Sequence, residues 1–337
     1  MTRLHLRLAL AGSIVAASSG TAFAQTKLII DKYLPATHPL VTGFMLPFKA
    51  DVERATNGRV VISISDSPLS SSSKQWEAVE SGISDIAVQY TGWYRSRIQL
   101  PAIAHLPFMI PSAGDASVAL WRTHGEMFGK ANEFKGMKLL GFITHSGNQI
   151  ANSKRPITSL AAFDGLKIRA SAGEPTQVAR LLGATAVTTS GPQIFEFVSK
   201  GVVDGIMDGM HAPMAFRIIR YIKHVTDIPG TLGAISFAVF INEKKWNALS
   251  KADQDAIISV SGEKLSRRGG QAFDAFTAKS INEMKSAGAT IDRPIAQFQA
   301  ELEARVESVQ TAWIKEAATR NVDGKAAIAY FRRQFSK

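Results

Sequence analysis

Residues 59–89 read RVVISISDSPLSSSSKQWEAVESGISDIAVQ, and this stretch decides the fold. Arg59 to Ser65 alternates at the two-residue period of a strand, a serine-rich loop at 70–73 leads to a helical stretch around Trp76 to Glu80, and Asp85 to Gln89 is a second strand. Strand, helix and strand in so short a run imply parallel pairing through a crossover, hence an α/β sheet. Upstream, Leu28 to Ile30 reads as another strand, and Phe44, Phe48 and Val52 have the spacing of a helix that stops at Asn57-Gly58.

The rhythm returns past the middle of the chain. Lys138 to Phe142 and Leu166 to Arg169 read as strands, and a helix from about Thr176 to Leu182 stops at Gly183. A further helix through Ile194, Phe195 and Val198 ends at Lys200-Gly201, a basic residue followed by glycine. A short strand near Gly205 to Met207 and an apolar one from Ala234 to Ile241 follow, so the chain is expected to hold two α/β lobes, as its 337 residues also suggest at ~150 residues per domain. The tail differs. Ser250 to Asp253 has capping-box-like spacing, and Phe298, Leu302, Val306, Val309 and Trp313 recur every three or four residues. That stripe is a packing face, and the tail is expected to strap helices across both lobes.

At the N-terminus Arg3 and Arg7 precede an uncharged stretch, Leu8 to Gln25, that closes on Ala22-Phe23-Ala24. This is the pattern of a secretory signal peptide, residues 1–24, cleaved after Ala24; it is too short and too rich in Gly and Ser for a membrane anchor. The mature chain is expected to be soluble, with a core held without disulfides, since there is no cysteine. Formal net charge is +11; without Arg3 and Arg7 the 39 basic residues fall to 37 against 28 acidic ones, a charge of +9. The basic residues occur in pairs among acids rather than in an aromatic-studded patch, which argues for small anions and against nucleic acid.

Familiar catalytic constellations are missing from the sequence. The seven histidines, His5, His38, His105, His124, His145, His211 and His224, include no pair at three or four residues, so no helix offers a metal-ligand pair. No nucleophile elbow, phosphate loop or dinucleotide fingerprint occurs, and thiol chemistry is excluded. Asp204 and Asp208 in VVDGIMDGMHAP could serve acid–base work or simply cap a loop, which leaves an exported hydrolase as an alternative.

A different motif carries the functional reading. In FDGLKIRAS, residues 163–171, an Asp-Gly turn opens a short strand that ends on Arg169 and then dissolves into small residues. With His38-Pro39, DIAVQ, KGVVDG at 200–205, FAVFIN at 237–242 and the leader, the chain resembles the periplasmic solute-binding proteins of tripartite ATP-independent (TRAP) transporters over nearly all its mature length.

The resemblance implies a two-lobed periplasmic binding protein fold with parallel-rich mixed sheets, hinge strands near 150 and 235, and long C-terminal helices across both lobes. It places residues 25–150 plus about 236–265 in lobe one and 151–235 plus about 266–337 in lobe two. Such a protein works in the periplasm without cofactor, metal or catalysis, closing on a small organic acid, with a monocarboxylate favoured, and delivering it to membrane permease subunits. Arg169 takes the family's position for a two-point bridge to the ligand carboxylate, which suits the planar fork of a guanidinium. Gln149 falls where the sialic-acid-binding branch has a second arginine. Asp208 departs from the usual Glu-x-Pro or Asn-Pro, and would suit a ligand hydroxyl, amine or cation while repelling a second carboxylate. Tyr90 and Trp93, at the strand end where ligands of open parallel sheets bind, and His38 and Phe195 are further wall candidates. An ABC-type or tricarboxylate-type binding protein would share the shape but not the pairing of LKIR with VVDG.

Overall fold

The structure is a computed structural model that describes residues 25–336, so the leader expected at 1–24 lies outside the described residues. In chain order its strands are β1 (Thr26–Ile30), β2 (Val60–Ile64), β3 (Ile86–Tyr90), β4 (Met137–Thr144), β5 (Asn148–Asn152) and β6 (Lys167–Ala170). They continue with β7 (Thr185–Thr188), β8 (Gly205–Gly209), β9 (His224–Thr226), β10 (Ser236–Asn242) and β11 (Thr290–Asp292).

The first sheet has the order β2-β1-β3-β10-β4. β1 lies between β2 and β3 and runs parallel to both, the pairing that residues 59–89 imply. β10 enters from the far half of the chain, antiparallel to both neighbours, and its Phe237 to Ile241 run is buried throughout. The second sheet has the order β11-β9-β5-β8-β6-β7. There β6 is parallel to β7 and β8, while β5 is antiparallel to β8 and β9. These are the two lobes of a mixed α/β protein.

Three segments carry the chain between the sheets, β4 to β5, β9 to β10 and, through the tail helices, β10 to β11, and the first two bond to each other. The Asn148 N–H donates to the Gly233 carbonyl at 2.6 Å, and the Leu232 N–H to the Asn148 carbonyl at 2.9 Å. Glycine is required at both of these crossings. Gly147 has φ +87°, and a Cβ there would lie 2.4 Å from Thr231 Oγ1; Gly233 has φ +80°, and its Cβ would meet the His105 carbonyl oxygen at 2.0 Å.

The tail spans both lobes. Helix Gly262–Ser286 lies along β4 and helix Ala113–Thr123 and reaches Ala212–Ala215 in the other half. Helix Ala296–Ala318 buries Phe298, Leu302, Val306, Val309 and Trp313, and packs on the Leu100–His105 turn of one lobe and helix Glu174–Leu181 of the other. The stripe seen in the sequence is therefore a packing face.

Candidate functional site

Parallel pairing of β6 with β8 sets Arg169 beside Ile206, so the alternation of side chains brings Arg169 and Asp208 to one face of the second sheet. Arg169 is only 2% exposed. Its Nε donates to Thr189 Oγ1 at 3.2 Å, one terminal nitrogen donates to the Thr189 carbonyl at 2.7 Å, and the other to the Asp208 carboxylate. Asp208 Oδ1 also accepts the Gly209 N–H at 2.7 Å. Burial pushes the Arg169 pKa down and Asp208 pushes it back up, which is how so deep a guanidinium keeps its charge. A guanidinium has five N–H groups, so these three bonds leave two, one on each terminal nitrogen.

The pair faces a cleft between the lobes. Arg169, Asp208, Ser171 and Thr189 form one wall, and the rings of Tyr33, Tyr90, Trp93 and Phe237 form another. Tyr90 ends β3, where the strand delivers it to the cleft mouth, and its hydroxyl donates to the Ala172 carbonyl on the opposite lobe. Its ring lies 6.3 Å from Trp93 and 6.2 Å from Phe237, and burial raises its phenol above the ordinary value.

Three histidines from distant segments meet beside the pair. The His211 ring is 5.6 Å from His38, 5.3 Å from His145 and 4.8 Å from Phe273. His38 Nδ1 accepts the Leu40 N–H at 3.1 Å, and His145 Nδ1 accepts the Gly147 N–H at 3.0 Å. Burial lowers His38 to about 3 and His145 to about 4 and holds His211 well below its ordinary value, so all three rings are neutral. Among the described residues no group of three or more His, Asp or Glu side chains is arranged to hold a metal ion.

Behind the aromatic wall a polar chain joins the lobes. Arg95 pairs with Glu174 and with Glu316, Glu174 Oε2 lies 2.9 Å from His105 Nδ1, and His105 Nε2 lies 2.9 Å from Ser236 Oγ. Its members stand far apart in the sequence, so no motif announces it.

Of the residues singled out from the sequence, Arg169, Asp208, Tyr90, Trp93 and His38 come together around the cleft. Gln149 and Phe195 do not. Gln149 stands opposite Asp208 in the β5–β8 register, but its amide accepts the Ile228 N–H at 2.7 Å and donates to the Ile228 carbonyl at 3.1 Å, which ties it to the neighbouring backbone. Phe195 is 43% exposed on helix Ile194–Ser199, just beyond Ser190 to Pro192, which do line the cleft. Asp204 accepts the Lys167 N–H at 2.9 Å and so caps a strand. Sequence reasoning missed Tyr33, Thr189, His211, Phe216 and Phe237; Phe237 and His211 sit inside motifs that were readable, FAVFIN and DGMHAP.

Two lobes around a buried, partly spent arginine define a solute-binding protein. The chain matches the family described as bacterial extracellular solute-binding protein, family 7, over residues 30–316, and it belongs to that family. Its solved relatives are TRAP solute-binding proteins, which are transport receptors and not enzymes. It is 31% identical to the outer membrane transporter protein TsaT of Comamonas testosteroni, over 97% of each chain. Its structure matches a TRAP periplasmic solute-binding protein of Bordetella bronchiseptica with bound (R)- and (S)-mandelate, at a TM-score of 0.89 and 30% identity, over 92% of this chain and 99% of that one. It also matches a marine metagenome TRAP solute-binding protein specific for aromatic acid ligands, in complex with 3-hydroxybenzoate, at 0.85 and 26% identity, over 93% and 98% of the two chains.

Proposed function

We propose that this protein is a periplasmic TRAP receptor without catalytic activity, which captures a small monocarboxylate with an apolar, preferably aromatic, body and delivers it to its membrane permease. The observation that carries this reading is the Arg169 guanidinium, buried and fixed by Thr189 and Asp208, with one N–H left on each terminal nitrogen beside an aromatic wall. Two such donors match the two oxygens of one carboxylate. Arg169 is the sole Lys or Arg lining the cleft among the described residues, and Asp208 already shares its charge, so a second carboxylate would find no cation. The relatives bound to mandelate and 3-hydroxybenzoate support an aromatic acid.

On the same reading, the leader directs export, and the lobes are residues 25–150 with the return through about 265, and 151–235 with the tail; the strand membership of the two sheets supports that division. Closure turns on the crossings near 150 and 235, favoured by ligand contacts to both walls. Thermal stability against a panel of carboxylates tests the proposal. An acid at a hundred times its dissociation constant should add about 2.7 kcal/mol of stability, and a panel in which no carboxylate shifts the transition while neutral amides do would reject it.

A further inference from the structure

Resting on the reading of Arg169 as the carboxylate site, we infer that the cleft reads a second oxygen on the ligand, a hydroxyl group, through the imidazoles of His38 and His211. Both rings line the cleft and both are nearly fully buried. The tautomer of His38 follows from its backbone bond: Nδ1 accepts the Leu40 N–H, so in the neutral ring the proton sits on Nε2. In His211 it is Nδ1 that is buried with no partner, close enough to the backbone that a Cβ on Gly209 would lie 2.6 Å away. An orphaned buried N–H is rarer than an unused lone pair, so this ring too carries its proton on Nε2.

Neither Nε2 has a hydrogen-bond partner among the described residues. Phe216 packs 5.5 Å from the His38 ring and Phe273 4.8 Å from the His211 ring, so these neighbours hold the imidazoles in place without satisfying them. Both Nε2 atoms are open to the cleft rather than sealed among protein atoms, and a ligand oxygen placed between them can accept both N–H groups. The rings are neutral, which suits an uncharged oxygen. Asp208, also in the lining, offers the acceptor that a hydroxyl proton needs. A hydroxyl both accepts and donates, so it answers the imidazoles and the carboxylate together.

Matched acids test this by calorimetry on the whole protein: mandelate against phenylacetate, and 3-hydroxybenzoate against benzoate. Wild type should bind the hydroxylated member of at least one pair about tenfold more tightly, since a site built to hydrogen-bond a hydroxyl penalises the analogue lacking it. His211→Phe, which keeps the packing on Phe273, should bring that ratio close to one. His38→Asn, whose amide oxygen can still accept the Leu40 N–H, should do the same. Equal affinities within both pairs for wild type overturn the inference with no variant needed, as does a ratio that survives both substitutions. If none of the four acids binds, or if all bind Arg169→Ala normally, the carboxylate reading falls and this inference with it; equal binding that depends on Arg169 removes the inference alone.

Discussion

Arg169 and Asp208 meet across the parallel strands β6 and β8, both buried, and the carboxylate holds the guanidinium against the Thr189 side of the cleft. A buried ion pair adds little net stability, but breaking it strands a charge in a poorly hydrated place. Each partner therefore has a different phenotype when removed.

Arg169→Ala should cost about 3 to 5 kcal/mol of ligand binding, more than a hundredfold, while the fold survives. Arg169→Lys should lose most of that affinity too, because an ammonium keeps the charge but not the planar fork. Calorimetry on both variants decides; near-normal affinity in the alanine variant discards the role given to this residue.

Asp208→Asn leaves the buried guanidinium without its counter-charge. The free protein should melt earlier, ligand should raise its transition more than in wild type, and acids with a second carboxylate should gain relative to monocarboxylates. A thermal-shift panel reads all three effects, and an unchanged ligand ranking would count against a pocket role for Asp208.

Arg95 and Glu174 bridge the lobes away from the cleft lining. Glu174→Gln should weaken the closed form without touching the ligand and lower affinity about tenfold, which is 1.4 kcal/mol. Arg95 is a third exposed, so solvent screening limits the effect. Binding indistinguishable from wild type would show that this bridge does not bias closure.

Acid should destabilise the free protein. Folding lowers the pKa of His38 to about 3 and of His124 and His145 to about 4, against 6.5 for an unperturbed histidine. As pH falls through 6.5 the unfolded chain takes up protons that the folded one refuses, so the stability present above 6.5 is lost progressively, down to about 4 for His124 and His145 and about 3 for His38. The slope is up to about 1.4 kcal/mol per pH unit for each histidine. Urea midpoints between pH 7.5 and pH 5 measure it, and a flat profile would mean these rings are not buried in neutral form.

The first sheet was legible because β1, β2 and β3 show plain strand patterning and are joined by helical crossovers whose apolar spacing is also readable. The second was only half legible. β5 reads NQIAN, a polar string that hydrogen bonding nevertheless buries, and β9 and β11 have three residues each, too few for a period to emerge. Within the cleft, Arg169 was readable because a strand and a turn frame it, and Tyr90 because it ends a strand. The meeting of His38, His145 and His211 was not, since each comes from a different segment and only the closed topology brings them within ring contact.

The Tyr90 hydroxyl reaches across to the Ala172 carbonyl and closes the cleft mouth with a bond between lobes. A captured acid cannot leave past it by simply shedding its own contacts; the two halves must part first. Residence time then depends on this latch as well as on the cargo's own contacts with the two halves.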